Sequence, residues 1–463
     1  MKSLAFLVVA LLVISSAALS IDVSAQSSQV DPATVPATPL LSARRLPGSL
    51  QSASDPELSA SIDQYLSKVN GSTCAVVEQD GRVIVGRAST DEFAPASVMK
   101  LATAIAASDI LGPDHVFTTR FLAENPVKDG VVDGDLYVVG GGDPLLTTPG
   151  YKSVFEDPDQ FYQEFSVLAE TLTEAGVTEI AGRLIGDDSR YENVRWIPTW
   201  PTRYQIGGTV APLSALVVND GSTGYTETPN APTTNRKAGD SPLLFVQTLK
   251  TILSARGITV SGSATTGRAP SETVEIAAFD SVPLTEVLDE MLLDSDNTTA
   301  ELVTREIGFV ARGQGTTAAG IDAIRESLIK QGFDLDGFIM NDGSGLDTGN
   351  RMSCALAISL FNHLAKSTDI TAALPLGGRT GTLRKRMLAT ASTGRVRAKT
   401  GTLNSVNALT GVAETPQGSV LTFAFLHNGN DSRTTGVADG FSDRLMSYAK
   451  GSKLASLEPL PLK

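Results

Sequence analysis

Three histidines and two cysteines in 463 residues leave little from which to build a metal centre. His115, His363 and His427 lie far apart in the chain and no H-E-x-x-H pattern occurs, so a zinc hydrolase site lacks its ligands. A Ser-His-Asp triad needs only one histidine and stays open. Cys74 and Cys354 are too few for a four-cysteine site or a disulfide framework; they can form one bridge, although two separate buried thiols is the favoured reading. Basic residues are also in the minority. With 37 Lys plus Arg against 51 Asp plus Glu, the net charge of -14 argues against nucleic acid as a partner, because that affinity rests on cations neutralising phosphates. Phosphate loops are absent: Gly140-Gly141-Gly142 runs into Asp143-Pro144 with no G-K-[ST] after it, and Asp187-Asp188 reads as a turn rather than a metal site. No cofactor and no metal are therefore expected. A hydrophobic share of 41% nonetheless places the chain among ordinary globular proteins, with length for more than one domain.

Long apolar runs are scarce too, and the one present is N-terminal. Met1-Lys2 precedes an apolar stretch from Leu4 to Leu19, then Val23-Ser24-Ala25 before Gln26. A short basic start, an apolar run and small residues at -3 and -1 describe a secretory signal cut after Ala25, with an uncleaved anchor as the alternative. The expected location is the periplasm or the extracellular cell envelope, either secreted or associated with the membrane through the N-terminus. Pro32, Pro36, Pro39 and Pro47 among Ser, Ala and Thr make the following segment a flexible spacer.

The folded part reads as α/β. A helix is expected over about 56–69, then a hairpin in which Cys74–Val77 and Val83–Val85 flank the turn pair Asp80-Gly81. Pro95 to Ala107 is an almost wholly apolar helix, hence buried, with Lys100 as its single charge. Residues 118–276 change to short strands and turns and read as a β-rich insertion. Helices return at Leu284–Leu293, Thr299–Val310 and Ile321–Gln331. Strands at Val396–Thr400, Asn407–Val412 and Val420–Leu426 then argue an antiparallel sheet, with a helix over Phe441–Lys450 laid on it. The resulting division is signal peptide 1–25, linker 26–54, catalytic domain 55–117 and 277–450, inserted domains 118–276, and tail 451–463.

Three short motifs stand in order: Ser97-Val98-Met99-Lys100, Ser295-Asp296-Asn297 and Lys399-Thr400-Gly401-Thr402. Each is weak alone, because Ser327–Lys330, Ser447–Lys450, Ser405-Val406-Asn407 and Arg379-Thr380-Gly381-Thr382 approximate them elsewhere. Context favours the first set. Ser97 opens a buried helix whose free N–H groups favour an oxyanion, and Lys100 lies one turn on. Burial lowers a lysine's pKa, which lets it take the serine proton without any histidine. Ser295-Asp296-Asn297 falls between two amphipathic helices, where it can project into a cleft or cap a helix. Lys399 and the hydroxyls of Thr400 and Thr402 can grip a carboxylate, while the Thr402 N–H joins that of Ser97 in an oxyanion hole.

S-x-x-K, S-D-N and K-T-G together form the signature of class A β-lactamases and penicillin-binding proteins. The sequence resembles that superfamily, and within it the D-alanyl-D-alanine carboxypeptidase/endopeptidase family of low-molecular-mass class C penicillin-binding proteins, peptidase family S13, from about residue 55 to 450. Further matching stretches are Leu136–Pro144 (LYVVGGGDP), Gly182–Asp188 (GRLIGDD), Asn341–Leu346 (NDGSGL) and Gly381–Arg384 (GTLR). The resemblance implies a transpeptidase-like domain, an antiparallel sheet flanked by helices, carrying the long insertion. It implies acyl transfer on peptidoglycan stem peptides ending in D-Ala-D-Ala, and covalent inhibition by β-lactams. Ser97 would be the nucleophile, Lys100 its base and Ser295 a proton relay; Asn297 would bind the peptide amide and Lys399, Thr400 and Thr402 the terminal carboxylate. Two alternatives are a β-lactamase and a non-catalytic wall-binding or β-lactam-sensing module. The first wants a Glu some 35 residues beyond S-D-N, where Gln331–Asp336 has none. The second has no need of a buried Ser-Lys pair.

Overall fold

The apolar alternation of the C-terminal strands shows where the main sheet lies. In the computed structural model, which describes residues 47–225, 236–366, 372–429 and 436–448, the chain opens with α1 (Pro47–Leu66), β1 (Ser72–Gln79), β2 (Arg82–Arg87) and α2 (Lys100–Ile110). The middle stretch supplies β3 (Thr118–Ala123), β4 (Val131–Val132), β5 (Leu136–Val139), β6 (Leu146–Thr147), α3 (Pro149–Lys152), β7 (Gln163–Glu164) and α4 (Val167–Glu174). It continues with β8 (Glu179–Ile180), β9 (Leu184–Asp187), α5 (Arg203–Ile206), α6 (Ser241–Ala255), β10 (Thr259–Val260), β11 (Ala264–Thr266) and β12 (Val274–Asp280). Then come α7 (Leu284–Leu293), α8 (Asn297–Arg312), α9 (Thr317–Lys330), α10 (Cys354–Leu364), β13 (Val396–Leu403), β14 (Val406–Glu414), β15 (Val420–Asn428) and α11 (Gly436–Leu445).

The main sheet runs β13-β14-β15-β1-β2 with every pair antiparallel, so the N-terminal hairpin completes the C-terminal meander. Asp80 and Gly81 both have positive φ at the tip of that hairpin, the backbone that a two-residue turn requires. Period-2 geometry then sorts the side chains. Cys74, Val76, Ala424 and Leu426 face α2 and α10, while Ala75, Val77, Phe423 and Phe425 pack under α1 and α11. Both faces are buried, and each large side chain such as Phe423 contributes roughly 1.5–3 kcal/mol by leaving water.

The middle stretch builds a second sheet, β11-β9-β5-β3-β12, in which β5, β9 and β11 run parallel and β3 runs antiparallel to both its neighbours, β5 and β12, plus a small parallel sheet β10-β8-β4. Parallel strands need covered faces. Here α4 and α6 supply the cover, with Leu168, Leu172, Phe245, Leu249 and Leu253 in one core with Leu136, Val138 and Leu184. The region is thus stranded, as its sequence indicates, but it also carries the 15-residue α6 that strand patterning alone misses.

Several boundaries differ from the sequence reading. Helix α1 starts at Pro47, inside the stretch assigned to the linker, and α11 runs Gly436–Leu445 rather than Phe441–Lys450. The two cysteines correct the favoured reading outright. Cys74 and Cys354 are both buried, but they form a disulfide, with Cα atoms 5.9 Å apart, because β1 and the first turn of α10 meet across the core. The signal peptide, most of the linker, Lys450 and the C-terminal tail lie outside the described residues.

Candidate active site

Ser97 sits on a 3-10 turn (Ala96–Met99) that leads directly into α2. The turn is held in an unusual shape. Ala96 has φ 47°, a left-handed conformation that costs a non-glycine residue on the order of 1–3 kcal/mol and persists only when its surroundings fix it. Two glycines let those surroundings close in. A Cβ at Gly345 would collide with the Ala96 carbonyl oxygen, and one at Gly401 would come within 2.5 Å of the Pro95 oxygen. The loop around 341–350 and strand β13 therefore press on the turn from two sides.

Lys100 is fully buried beside it. Its Nζ donates to Ser97 Oγ at 3.0 Å, Asn297 Oδ1 at 2.8 Å and the Ser344 carbonyl at 2.9 Å, which matches the three donors of an ammonium. Burial pulls its pKa down to about 8, against the opposing fields of Asp296, Glu301, Asp342 and Glu290. The neutral amine is thus within easy reach at physiological pH.

A second lysine completes the other side. Lys399 is equally buried; its Nζ donates to Ser295 Oγ at 2.7 Å and to the Thr400 carbonyl at 3.2 Å. Burial, then the nearby Lys100 charge, push its pKa well below the usual lysine value. Ser295, like Ala96, is a non-glycine residue with positive φ, 62°. It lies in the two-residue link between α7 and the cap of α8, where Asp296 is the N-cap and accepts the Thr299 N–H at 2.6 Å. Capping and projection into the cleft therefore both occur in S-D-N: the middle residue caps, and its neighbours face the lysines. Asn297 bridges the site, accepting from Lys100 and donating through Nδ2 to the Thr209 carbonyl at 2.9 Å.

Strand β13 is the edge of its sheet. The Ala398 N–H donates outward to Pro375 and the Val396 carbonyl accepts from Gly377 on the same side. By the two-residue period, the backbone groups of Thr400 and Thr402 point out along that edge, beyond the covering segment. Thr402 is exposed and Thr400 nearly buried, its Oγ1 2.8 Å from Thr382 Oγ1. Past Thr382 opens a cavity of about 530 Å³ whose lining includes Tyr151, Phe155, Asp157, Asp294 and Asp296. Among the described residues, no group of three His, Cys, Asp or Glu side chains is placed to hold a metal ion.

Of the competing motifs, Ser327–Lys330 falls elsewhere, whereas Arg379-Thr380-Gly381-Thr382 borders the site through the Thr382 hydroxyl. Ser327 is buried and donates to Asp109 Oδ2 at 2.8 Å, at the far end of α2 from Lys100, while Lys330 ends α9. Sequence reasoning missed the Ser344 carbonyl, the acids Glu301 and Asp342 behind it, and Thr382. The stretches NDGSGL and GTLR marked Asp342, Ser344 and Thr382 without any hint of their contacts, and nothing marked Glu301; a backbone carbonyl such as that of Ser344 has no residue type to recognise.

Comparison with known proteins agrees with the geometry. A D-alanyl-D-alanine carboxypeptidase of Actinomadura sp. is 29% identical over 85% of each chain, and a carboxypeptidase DacB of Mycolicibacterium smegmatis is 30% identical over 72% of this chain and 71% of its own. The crystal structure of penicillin-binding protein 4 from Haemophilus influenzae superposes with a TM-score of 0.70 at 20% identity, covering 83% of this chain and 98% of that one, which establishes the shared α/β fold. That protein has also been solved with a β-lactam. The family model for D-Ala-D-Ala carboxypeptidase 3 (S13) matches residues 58–243 and 232–439, and with Ser97, Lys100, Ser295 and Lys399 gathered in one cleft the chain belongs to that family.

Proposed function

We propose that this protein is a serine-type DD-peptidase that hydrolyses peptidoglycan stem peptides ending in D-Ala-D-Ala, acting as a carboxypeptidase on free ends, an endopeptidase on cross-links, or both. The observation that carries the reading is the buried Lys100 amine 3.0 Å from Ser97 Oγ. Lys100 takes the Ser97 proton as Oγ bonds to the penultimate D-Ala carbonyl carbon. The carbonyl oxygen becomes an oxyanion facing the N–H groups of Ser97 and Thr402. Collapse breaks the C–N bond, and the proton passes through Ser295 to the leaving amine. Water then adds to the acyl carbon, releasing the shortened peptide and returning the proton to Ser97. Asn297 holds the substrate amide, and Lys399, Thr400 and Thr402 hold the terminal carboxylate. A β-lactam presents the same acyl centre with its leaving group tethered, so it acylates Ser97 and leaves slowly.

The β-lactamase and sensor alternatives have no comparable support: no Glu stands where a deacylating base is wanted, and a binder gains nothing from two buried lysines. We also propose an exported enzyme, in the periplasm or extracellular envelope, on the strength of the N-terminal signal pattern. No described helix is long and apolar enough to cross a membrane; the N-terminal apolar stretch from Leu4 to Leu19 supports the proposal of membrane association there. The proposed division remains a catalytic domain, 55–117 and 277–450, interrupted by 118–276, supported by the separate sheet and core of the middle stretch. Labelling with a fluorescent penicillin tests the mechanism. Wild type should label and Ser97→Ala should not; equal labelling of both, or of neither, would overturn it. D-Ala release from a synthetic peptide, set against cleavage of a cross-linked dimer, separates the two activities.

A further inference from the structure

Lys100 needs its acceptors fixed if its proton affinity is to be fixed, and one of the three is a backbone carbonyl in a loop. The peptide plane that carries the Ser344 carbonyl also carries the Gly345 N–H, pointing the opposite way. Gly345 N–H donates to Asp342 Oδ1 at 2.8 Å, so that plane is held at one end by Asp342 and at the other by Lys100. The preceding plane is held the same way: Ser344 N–H donates to Glu301 Oε1 at 2.8 Å, and the Gly343 carbonyl accepts from Thr103 Oγ1 of α2 at 2.8 Å. Gly343 N–H adds a weaker bond to Glu301 Oε2 at 3.3 Å. Asp342 is anchored in turn by Trp200 Nε1, Asn350 Nδ2 and the Asp347 N–H at 2.6–2.8 Å. Both carboxylates are fully buried, as is Lys100.

The geometry points to Glu301 and Asp342 as a positioning pair for Lys100: two buried carboxylates that hold the Ser344 carbonyl as its third acceptor and set the pH at which it can accept the serine proton. Neither touches substrate, so neither is catalytic. This inference rests on the reading of Ser97 and Lys100 as nucleophile and base. The other charges that face this group are Asp296 and Glu290 from the α7–α8 side, Lys399 from β13, and Arg305, one turn beyond Glu301 on α8. Negative charge at Glu301 favours protonated Lys100, so its removal lets Lys100 lose its proton at lower pH.

The test is the second-order rate of acylation of the full chain by a fluorescent penicillin between about pH 6 and 10, for wild type, Glu301→Gln and Glu301→Asp. Wild type should rise along an acid limb to a plateau. Glu301→Gln should lower the plateau about tenfold or more, because the carbonyl is misplaced, and move the limb down by about half a pH unit or more, because the charge is gone. Glu301→Asp keeps the charge but loses reach, so its limb should stay and its plateau should fall. A limb unmoved in Glu301→Gln, or moved equally in both variants, overturns the proposal and marks Glu301 as structural. If Glu301→Gln does not fold, Glu301→Asp still decides: a plateau within about twofold of wild type overturns it. A wild type that does not label at all would remove the reading of Ser97 and this inference with it, whereas labelling with an unmoved limb removes this inference alone.

Discussion

Thr382 shows how a residue outside any signature motif enters the site. Its hydroxyl lies 2.8 Å from that of Thr400, which is nearly buried and points along the edge where the substrate carboxylate is proposed to bind. A hydroxyl has one hydrogen, so a partner that accepts or donates decides which way it turns. With Thr382 present, Thr400 can donate to the carboxylate while accepting from Thr382. Thr382→Val keeps the shape and removes this control. The expected result is a loss in kcat/KM for a D-Ala-D-Ala peptide of about fivefold, the worth of roughly one net hydrogen bond, with thermal stability little changed. An unaltered kcat/KM would show that Thr400 orients without help.

At the scale of elements, the site depends on close approach of three backbones: the Ala96–Met99 turn, strand β13 and the 341–350 loop. Gly345 has φ +88° and no room for a Cβ beside Ala96, so Gly345→Ala should both strain its own backbone and displace the Ala96–Met99 turn that carries Ser97. We expect a loss of about 2 kcal/mol or more in unfolding free energy, read from the urea midpoint, with penicillin labelling reduced more than global stability alone explains. Wild-type labelling in a destabilised Gly345→Ala would mean the turn is held by β13 alone.

The same elements show what the sequence discloses and what it withholds. Strands β13 to β15, the hairpin and helices α7 to α9 were legible because their apolar residues recur at periods of 2 and 3.6, and the cores impose those periods. The pairing of β1 with β15 was legible only as a condition, since register across more than 300 residues leaves no local mark. Helix α6 was missed because its Ser, Pro and Thr disguise an otherwise regular apolar face. The charged and hydroxyl members of the site were legible through three ordered motifs. Ser344 was not, because it acts through its carbonyl, and Glu301 and Asp342 were not, because buried acids look like surface acids until something covers them. The Cys74–Cys354 bridge was likewise hidden: two cysteines 280 positions apart in sequence say nothing about proximity.

At the scale of the whole molecule, burying Lys100 and several acids has a cost that depends on pH. Glu301 and Asp143 are raised to about 7 and Asp294 to about 6, chiefly by burial, while Lys100 is lowered to about 8. A carboxyl with a folded value of about 7 keeps its proton where the unfolded chain, near 4.5, has lost it. Its contribution to stability is therefore complete below about pH 4.5 and gone above about pH 7. Lys100 acts in the opposite direction. It sheds its proton on folding between about pH 8 and 10.5, so its burial is least unfavourable above 10.5 and most unfavourable below 8. The two effects meet near neutrality, where these buried groups together destabilise the fold most. Glu306, which Arg190 and His115 hold below the usual carboxylate range despite its burial, loses its stabilisation only as pH falls below about 4.5, outside this window. Urea midpoints should consequently fall as pH rises from about 4.5 to 7. The part owed to Glu301 amounts to roughly 3 kcal/mol across the window, at about 1.4 kcal/mol per pH unit of displacement. Glu301→Gln cannot titrate, so its midpoint should fall less steeply over the same interval; slopes that coincide would show that Glu301 carries its charge in the folded protein throughout, and that the neutral-pH instability lies with the other acids that burial raises, Asp143, Asp294, Glu290, Asp296 and Asp342.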